Sequence, residues 1–150
     1  MGDRPLDGVR VLELATDIAG PYGGKLLADL GANVLKAEPS GGDPTRRRGP
    51  FRGGTPDLEA SGLFLYLNAG KRGITLDLAT TAGRDALLDL VAQMDVLIES
   101  EQPGELERLG GSPAALGERN PRLVRVSVTP FGRWGPRAGW RGNDLIAFHS

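Results

Sequence analysis

Three groups of residues have the types and spacing to act on a ligand. Arg46, Arg47 and Arg48 form a dense basic run inside a stretch rich in glycine and proline. The planar fork of arginine offers bidentate hydrogen bonds to phosphate oxygens, although a solvated loop accounts for the same run without any ligand. Asp17 follows a short apolar run, where it would serve either as an acid or as a helix cap. Gly20-Pro21-Tyr22-Gly23-Gly24, with Glu38 eighteen residues after Gly20, approaches the spacing of a dinucleotide site, in which that acid would hold a ribose. The glycines depart from the G-x-G-x-x-G pattern, however, and Pro21 removes an amide that would face a pyrophosphate. Close packing of a helix on a sheet explains Gly20, Gly23 and Gly24 equally well. His149 is the single histidine of a chain without cysteine, so no usual metal site is expected, and the neighbouring Ser150 does not complete a triad.

Composition narrows the setting. A chain of 150 residues is one domain or less, and a formal net charge of −1 argues against a nucleic-acid partner, which normally requires a marked basic excess. The absence of cysteine rules out disulfides and thiolate metal sites. The first residues, MGDRPLDG, lack the apolar run of a signal peptide, and no window reaches the length of a membrane span, so a cytoplasmic protein without a membrane partner is expected. The last residues, NDLIAFHS, form an apolar segment with no terminating signal, which suggests a piece of a longer protein.

The elements that position these residues follow from local pattern. Val9 to Leu14 reads as a buried strand, and a helix opens at Gly20-Pro21 with Tyr22, Leu26, Leu27 and Leu30 on one face. Gly31 stands where a left-handed helix end is wanted, and Asn33 to Ala37 forms the next strand, completing a βαβ unit. The stretch from Pro39 to Ser61 has no period, and loops of that length are usually functional or mobile. Beyond it the apolar run Gly62–Asn68 reads as a short helix, with a strand as the alternative, and Ile74–Leu76 as a strand. A helix capped by Thr80 or Thr81 should run to about Gln93, with Ala86, Leu87, Leu90 and Val91 inward. A strand at Val96–Ile98, short helices at 103–109 and 113–117, and a fifth strand at Leu123–Val128 follow. The fold class is therefore α/β with an open, mostly parallel sheet, whose ligands bind at the carboxyl ends of the strands.

Taken together, PLDGVRVLEL, AGPYGGKLLADLGANVLKAE, GGDPTR, LNAGKRGITLDL, GRDALLDLVAQMDVLIES, PGELERLG, NPRLVRVSVTPFG and GNDLIAF resemble, in order, the N-terminal part of the class III CoA-transferases (the CaiB/BaiF type, which includes formyl-CoA transferase). The resemblance implies a Rossmann-like sheet with helices on both faces. It makes residues 1–150 the N-terminal CoA-binding portion of the family's large domain, with the rest of that domain and a small domain outside this chain. It also implies coenzyme A as a substrate, acyl-CoA and a carboxylic acid as reactants, and an interlocked homodimer. Carried over by position, Ile18 and Ala19 approach the nucleotide end of CoA. Leu76, Asp77, Leu78 and Ala79 line the adenosine pocket, Ser100, Glu101, Gln102 and Arg108 meet the phosphates or the pantetheine arm, and Arg141 aligns as a further contact.

In the family an aspartate attacks the acyl-CoA thioester, giving an enzyme-bound mixed anhydride that is then exchanged on a carboxylate. That aspartate lies beyond Ser150, so no catalytic residue is expected within 1–150, and Asp144 matches only an acidic position before it. Two departures stand out: Glu101 puts an acid where a polyanion would bind, and Pro39 replaces a residue that is basic in some relatives. In the racemase branch of the family a histidine stands where this chain has Asn143, which cannot act as a base at neutral pH, so transfer is favoured over racemisation. A CoA- or partner-binding homologue without activity is the alternative from another class.

Overall fold

Val11 and Leu12 point to opposite faces of a strand, and both must leave water, which requires a sheet covered on both sides. The computed structural model, which describes residues 4–142 and 146, places them in the middle strand of five. The strands are β1 (Arg10–Glu13), β2 (Asn33–Glu38), β3 (Arg72–Thr75), β4 (Val96–Glu99) and β5 (Val124–Ser127). Their order is β3-β2-β1-β4-β5 and every neighbouring pair is parallel. The fold is thus α/β and Rossmann-like, as expected. β3 begins two residues before the expected strand because it is an edge: Arg72, Gly73 and Thr75 are exposed, so its start carries no apolar signal. β5 forms the other edge, where Val124 and Val126 remain exposed.

Helices α1 (Ala19–Asp29), α2 (Gly62–Asn68), α3 (Thr81–Val91), α4 (Glu105–Arg108) and α5 (Pro113–Arg119) accompany the sheet among the described residues. Hydroxyls of Ser61, Thr80 and Ser112 cap α2, α3 and α5 by accepting from backbone amides in their first turns. One core gathers Leu12, Leu14 and Leu97 of the sheet region with Leu87 and Val91 of α3, Leu106 of α4 and Leu116 of α5. The second lies around Val11, Val34 and Ile98 with Ala28 of α1.

α1 does not bury the face its large side chains suggest. Tyr22, Leu26 and Leu30 are exposed, while Gly20, Pro21, Gly24 and Ala28 face the sheet. The reason is distance. A Cβ at Gly24 would stand 1.8 Å from Glu13 Oε2, and one at Gly20 would stand 2.3 Å from the Cβ of Ala15. Pro21 occupies the third helical position rather than the first, still within the turn whose amides lack helical partners. Gly31 has φ +113 and turns the chain toward β2.

Beneath α1 lies a set of buried charges. Lys36 Nζ is 3.2 Å from Glu13 Oε1, 2.8 Å from Asp43 Oδ2 and 2.9 Å from the carbonyl of Ala15. Lys71 Nζ meets Glu13 Oε2 at 2.8 Å and donates to the carbonyl of Pro21 and to Asn68 Oδ1, each at 2.8 Å. Two ammonium groups therefore face two carboxylates, with backbone carbonyls filling the remaining valences. Burial lowers the pKa of Lys71, and the Glu13 carboxylate opposes that change.

The same charges pin the long loop. Asp43 also accepts from Thr45 N at 2.8 Å and Thr45 Oγ1 at 2.6 Å, opening a 3-10 turn at Pro44–Arg47. The hydroxyl of Ser61 lies 2.8 Å from the carbonyl of Thr45 and 2.6 Å from that of Arg48, and closes the loop. A stretch without sequence period is thus held at both ends by buried polar contacts.

Two outcomes follow from this packing. Gly24→Ala should destabilise the chain by about 1–3 kcal/mol through overpacking against Glu13. Gly23→Ala, with nothing within 4 Å of the added Cβ, should stabilise it by about 0.4–1 kcal/mol. Urea unfolding of the two variants beside the parent sequence decides the pair.

The second outcome concerns pH. Burial alone would raise the carboxyl pKa of Asp43, but Lys36 and Thr45 bring it below the ordinary range. For Glu38, burial is likewise outweighed by Arg46 and the Asp43 amide. Groups held low in the folded state keep their full stabilisation above the unfolded values, near 4, and lose it as pH falls toward the folded ones. Stability should therefore be flat with respect to these groups from neutrality to about pH 5 and fall below about pH 4. Asp43→Asn should cost about 3–5 kcal/mol at pH 7, because Lys36 loses a buried partner, and should make the acid slope shallower. Urea unfolding at a series of pH values measures both.

Candidate functional site

From β1 the chain proceeds through β2 to β3 on one side, and then crosses to β4 and β5 on the other. The loops leaving β1 and β4 therefore diverge and leave a crevice at the carboxyl ends of these strands, where open α/β sheets bind ligands. A cleft of about 700 Å³ occupies this position. Among the described residues, Thr16 to Gly20 line it from the β1–α1 turn, and Ser100 and Gln102 from the segment after β4. Val128 to Pro130 line it from the end of β5, and Arg48 and Gly142 complete it.

Local hydrogen bonds fix these walls. Leu14 N donates to the carbonyl of Ile98 at 2.8 Å, and Thr16 N donates to Ser100 Oγ at 2.9 Å. Asp17 adopts φ +66, a left-handed conformation that aspartate tolerates better than most residues. Ile18 is the N-cap of α1, so its side chain offers no acceptor, and the first turn holds no acidic residue. The positive end of α1 thus opens at the cleft wall without an internal carboxylate cap in its first turn.

On the β4 side, Glu99 is fully buried at the strand end. It accepts from Ser127 Oγ and, at 3.1 Å, from Arg133 NH1, while Arg133 also pairs with Glu107. The Glu101 amide donates to Glu99 Oε2 at 2.9 Å. Burial, and then the carboxylates of Glu99 and Glu105, push the Glu101 carboxyl up.

The three arginines of the basic run have separate fates. Arg46 grips Glu38 with two bonds, Nε at 2.7 Å and NH2 at 2.8 Å, reaches Glu59 at 2.9 Å, and lies 3.7 Å over the Phe64 ring. Arg47 donates to the carbonyl of Gly41. Arg48 alone reaches the cleft, where NH1 meets Asp17 Oδ1 at 2.6 Å. Glu38, the acid that would hold a ribose in a dinucleotide site, is consumed by Arg46 and the Asp43 amide, which removes the footing of a nicotinamide site.

Of the expected binding residues, Ile18, Ala19, Ser100 and Gln102 line this cleft, with half-buried Glu101 between the last two. Leu76, Asp77, Leu78 and Ala79 stand after β3 at the far edge of the sheet, where Asp77 Oδ1 accepts from Ala79 N and organises the turn into α3. Arg108, on α4, is exposed and pairs with Glu105 at 2.7 Å. Arg141 is exposed beside Gly142. Asn143, Asp144 and His149 lie outside the described residues. Thr16, Val128, Thr129 and Pro130 were missed as cleft residues, although the strand-end rule alone points to the residues that follow β1 and β5. No group of three or more possible metal ligands occurs among the described residues.

Comparison with known proteins extends this geometry. The succinyl-CoA:(R)-benzylsuccinate CoA-transferase subunit BbsE of Thauera aromatica is 47% identical over 136 residues, covering 91% of this chain and 33% of its own length. The succinate–glutarate CoA-transferase of Agrobacterium fabrum is 43% identical over 145 residues, covering 95% and 36%. A CaiB/BaiF family protein from Brucella suis superposes with a TM-score of 0.88 at 41% identity, covering 97% of this chain and 38% of that one. The chain spans about a third of the length of the curated relatives it matches. The model of CoA-transferase family III matches residues 6–150, and the chain belongs to that family.

Proposed function

We propose that residues 1–150 supply the CoA-binding part of the large domain of a class III CoA-transferase, which moves CoA from an acyl-CoA to a free carboxylic acid. The observation that carries this reading is the cleft at the β1/β4 divergence, faced by the uncapped positive end of α1, in a chain of this family. The two curated relatives described above carry dicarboxylates in their names, succinate with benzylsuccinate and succinate with glutarate. That supports dicarboxylic acids as the acceptor class.

The chemistry proposed is attack of an aspartate on the thioester. The C–S bond breaks and CoA leaves as thiolate, giving a mixed anhydride of the aspartate and the acyl group; the thiolate then attacks the aspartyl carbonyl, which releases the donor acid and leaves an aspartyl-CoA thioester. The acceptor carboxylate attacks that thioester, expelling the thiolate and forming a second mixed anhydride, and attack of the thiolate on the acceptor's carbonyl gives the new acyl-CoA and frees the aspartate. That aspartate is proposed to lie beyond residue 150; Asp17 is engaged with Arg48 and is not assigned the role. CoA would thread from the adenosine pocket at Leu76–Ala79 past Ile18 and Ala19 to Ser100–Gln102, with Arg108 and Arg141 at its phosphates. Arg108 is well exposed on its short helix, so exchanging Glu105 for a phosphate requires only a rotamer change. By the same resemblance we infer an interlocked homodimer in the cytoplasm. No helix among the described residues is long and apolar enough to cross a membrane.

The test incubates the complete polypeptide with succinyl-CoA and a second dicarboxylic acid. Free succinate and the new acyl-CoA should appear together by chromatography. Turnover without a second acid, or an epimerised acyl-CoA with no transfer, counts against the reading. Arg108→Ala should weaken CoA binding roughly ten- to a hundredfold, the value of a charge-assisted phosphate contact. Unchanged affinity by calorimetry would leave Arg108 with only its Glu105 pair.

A further inference from the structure

We propose that Arg48 is the carboxylate anchor of the cleft: it holds the carboxylate of the acid substrate that does not become a thioester, and Asp17 occupies its guanidinium in the meantime. The inference rests on the transferase reading above and specifies how that enzyme would select dicarboxylic acids.

Four observations carry it. Among the described cleft-lining residues, Asp17 and Arg48 are the only charged ones, and they are paired with each other. The pair uses NH1 of Arg48 alone, so four of the five donors of the fork have no partner among the described residues. Both side chains are substantially exposed, at 49% and 66%, and exposed pairs of this kind contribute little, so a substrate anion can replace Asp17 readily. The backbone of Arg48 is held firmly: its carbonyl accepts from Ser61, its amide donates to the carbonyl of Thr45, and Thr45 is fixed by buried Asp43. The fork is thus mobile on a rigid base.

The group it fits is a single carboxylate. A carboxylate, that of Asp17, already sits on it at 2.6 Å, and a planar fork takes a second such group in two parallel bonds. One arginine offset by one aspartate suits a single carboxylate, while the phosphates of CoA are assigned above to Arg108 and Arg141. The substrate requirement points the same way. When one carboxyl of a dicarboxylic acid takes CoA, the other keeps its charge, and the arginine fork in the cleft can pair it.

The experiment compares succinate with butyrate, an acid of equal length with one carboxyl, as acceptors for the complete polypeptide and its Arg48→Gln and Arg48→Lys variants. In Arg48→Gln the KM for succinate should rise ten- to a hundredfold, while the KM for butyrate changes less than twofold. The Kd for CoA, read by calorimetry, should also stay within twofold, which shows that the variant is folded. Arg48→Lys, with one point charge in place of the fork, should recover part of the succinate preference. Equal rises for both acids, or a weakened CoA affinity with the acid preference intact, would overturn the anchor. A parent protein that uses succinate, together with an Arg48→Gln variant whose KM for it is unchanged, overturns the anchor alone. A parent protein that transfers CoA to neither acid overturns the transferase reading and the anchor with it.

Discussion

The pairing of Lys36 with Glu13 and Asp43 is the constraint on which the rest of this architecture depends. An ammonium group on an interior strand is among the least favourable things to bury, and here two carboxylates and a carbonyl surround it. Each partner comes from a different part of the chain. Glu13 ends the first strand, Asp43 begins the long loop, and the carbonyl of Ala15 belongs to the turn before α1. Satisfying one charge therefore sets the position of three segments relative to one another. Lys71 repeats the device by tying Glu13 to the first turn of α1 and to the last residue of α2.

The glycines of α1 belong to the same solution. Glu13 needs room beneath the helix, and a Cβ at Gly24 would overlap its carboxylate. A small-residue face brings the helix down onto a charged strand end that large side chains would hold at a distance. The exposed Tyr22 stacks with Tyr66 of α2 at 6.4 Å between ring centroids, so part of the apolar surface left outside packs laterally instead of inward.

Much of this was legible in the sequence where a signal is local. Strands appear as runs of Val, Leu and Ile, and α3 is capped by Thr80, one of the two threonines expected to do so. The inward face of α1 was not legible. Hydrophobicity selects the large residues Tyr22, Leu26 and Leu30, whereas the contact is governed by the space needed for Glu13, a residue outside the helix. The order imposed on the loop after Glu38 was hidden for a similar reason: its anchors lie at residues 13, 36, 43 and 61, and no window contains them all. Ile18, Ala19, Ser100 and Gln102, which line the cleft, were named through the family resemblance and not from local pattern. The three adjacent arginines could not be told apart, because only the fold decides that Arg46 meets Glu38 while Arg48 meets the cleft.

The all-parallel sheet also constrains how the protein is made. β1 is synthesised before either of its neighbours, and Val11 must wait for Val96 to pair on its second side. The βαβ unit ending at Glu38 is local and forms early, but it leaves the β4-facing edge of its central strand unsatisfied during much of synthesis. Non-local parallel pairing of this kind slows folding and lengthens the exposure of apolar edges. The edge of β1 that later meets β4 is thus covered only after some eighty further residues have been made, the separation of Val11 from Val96.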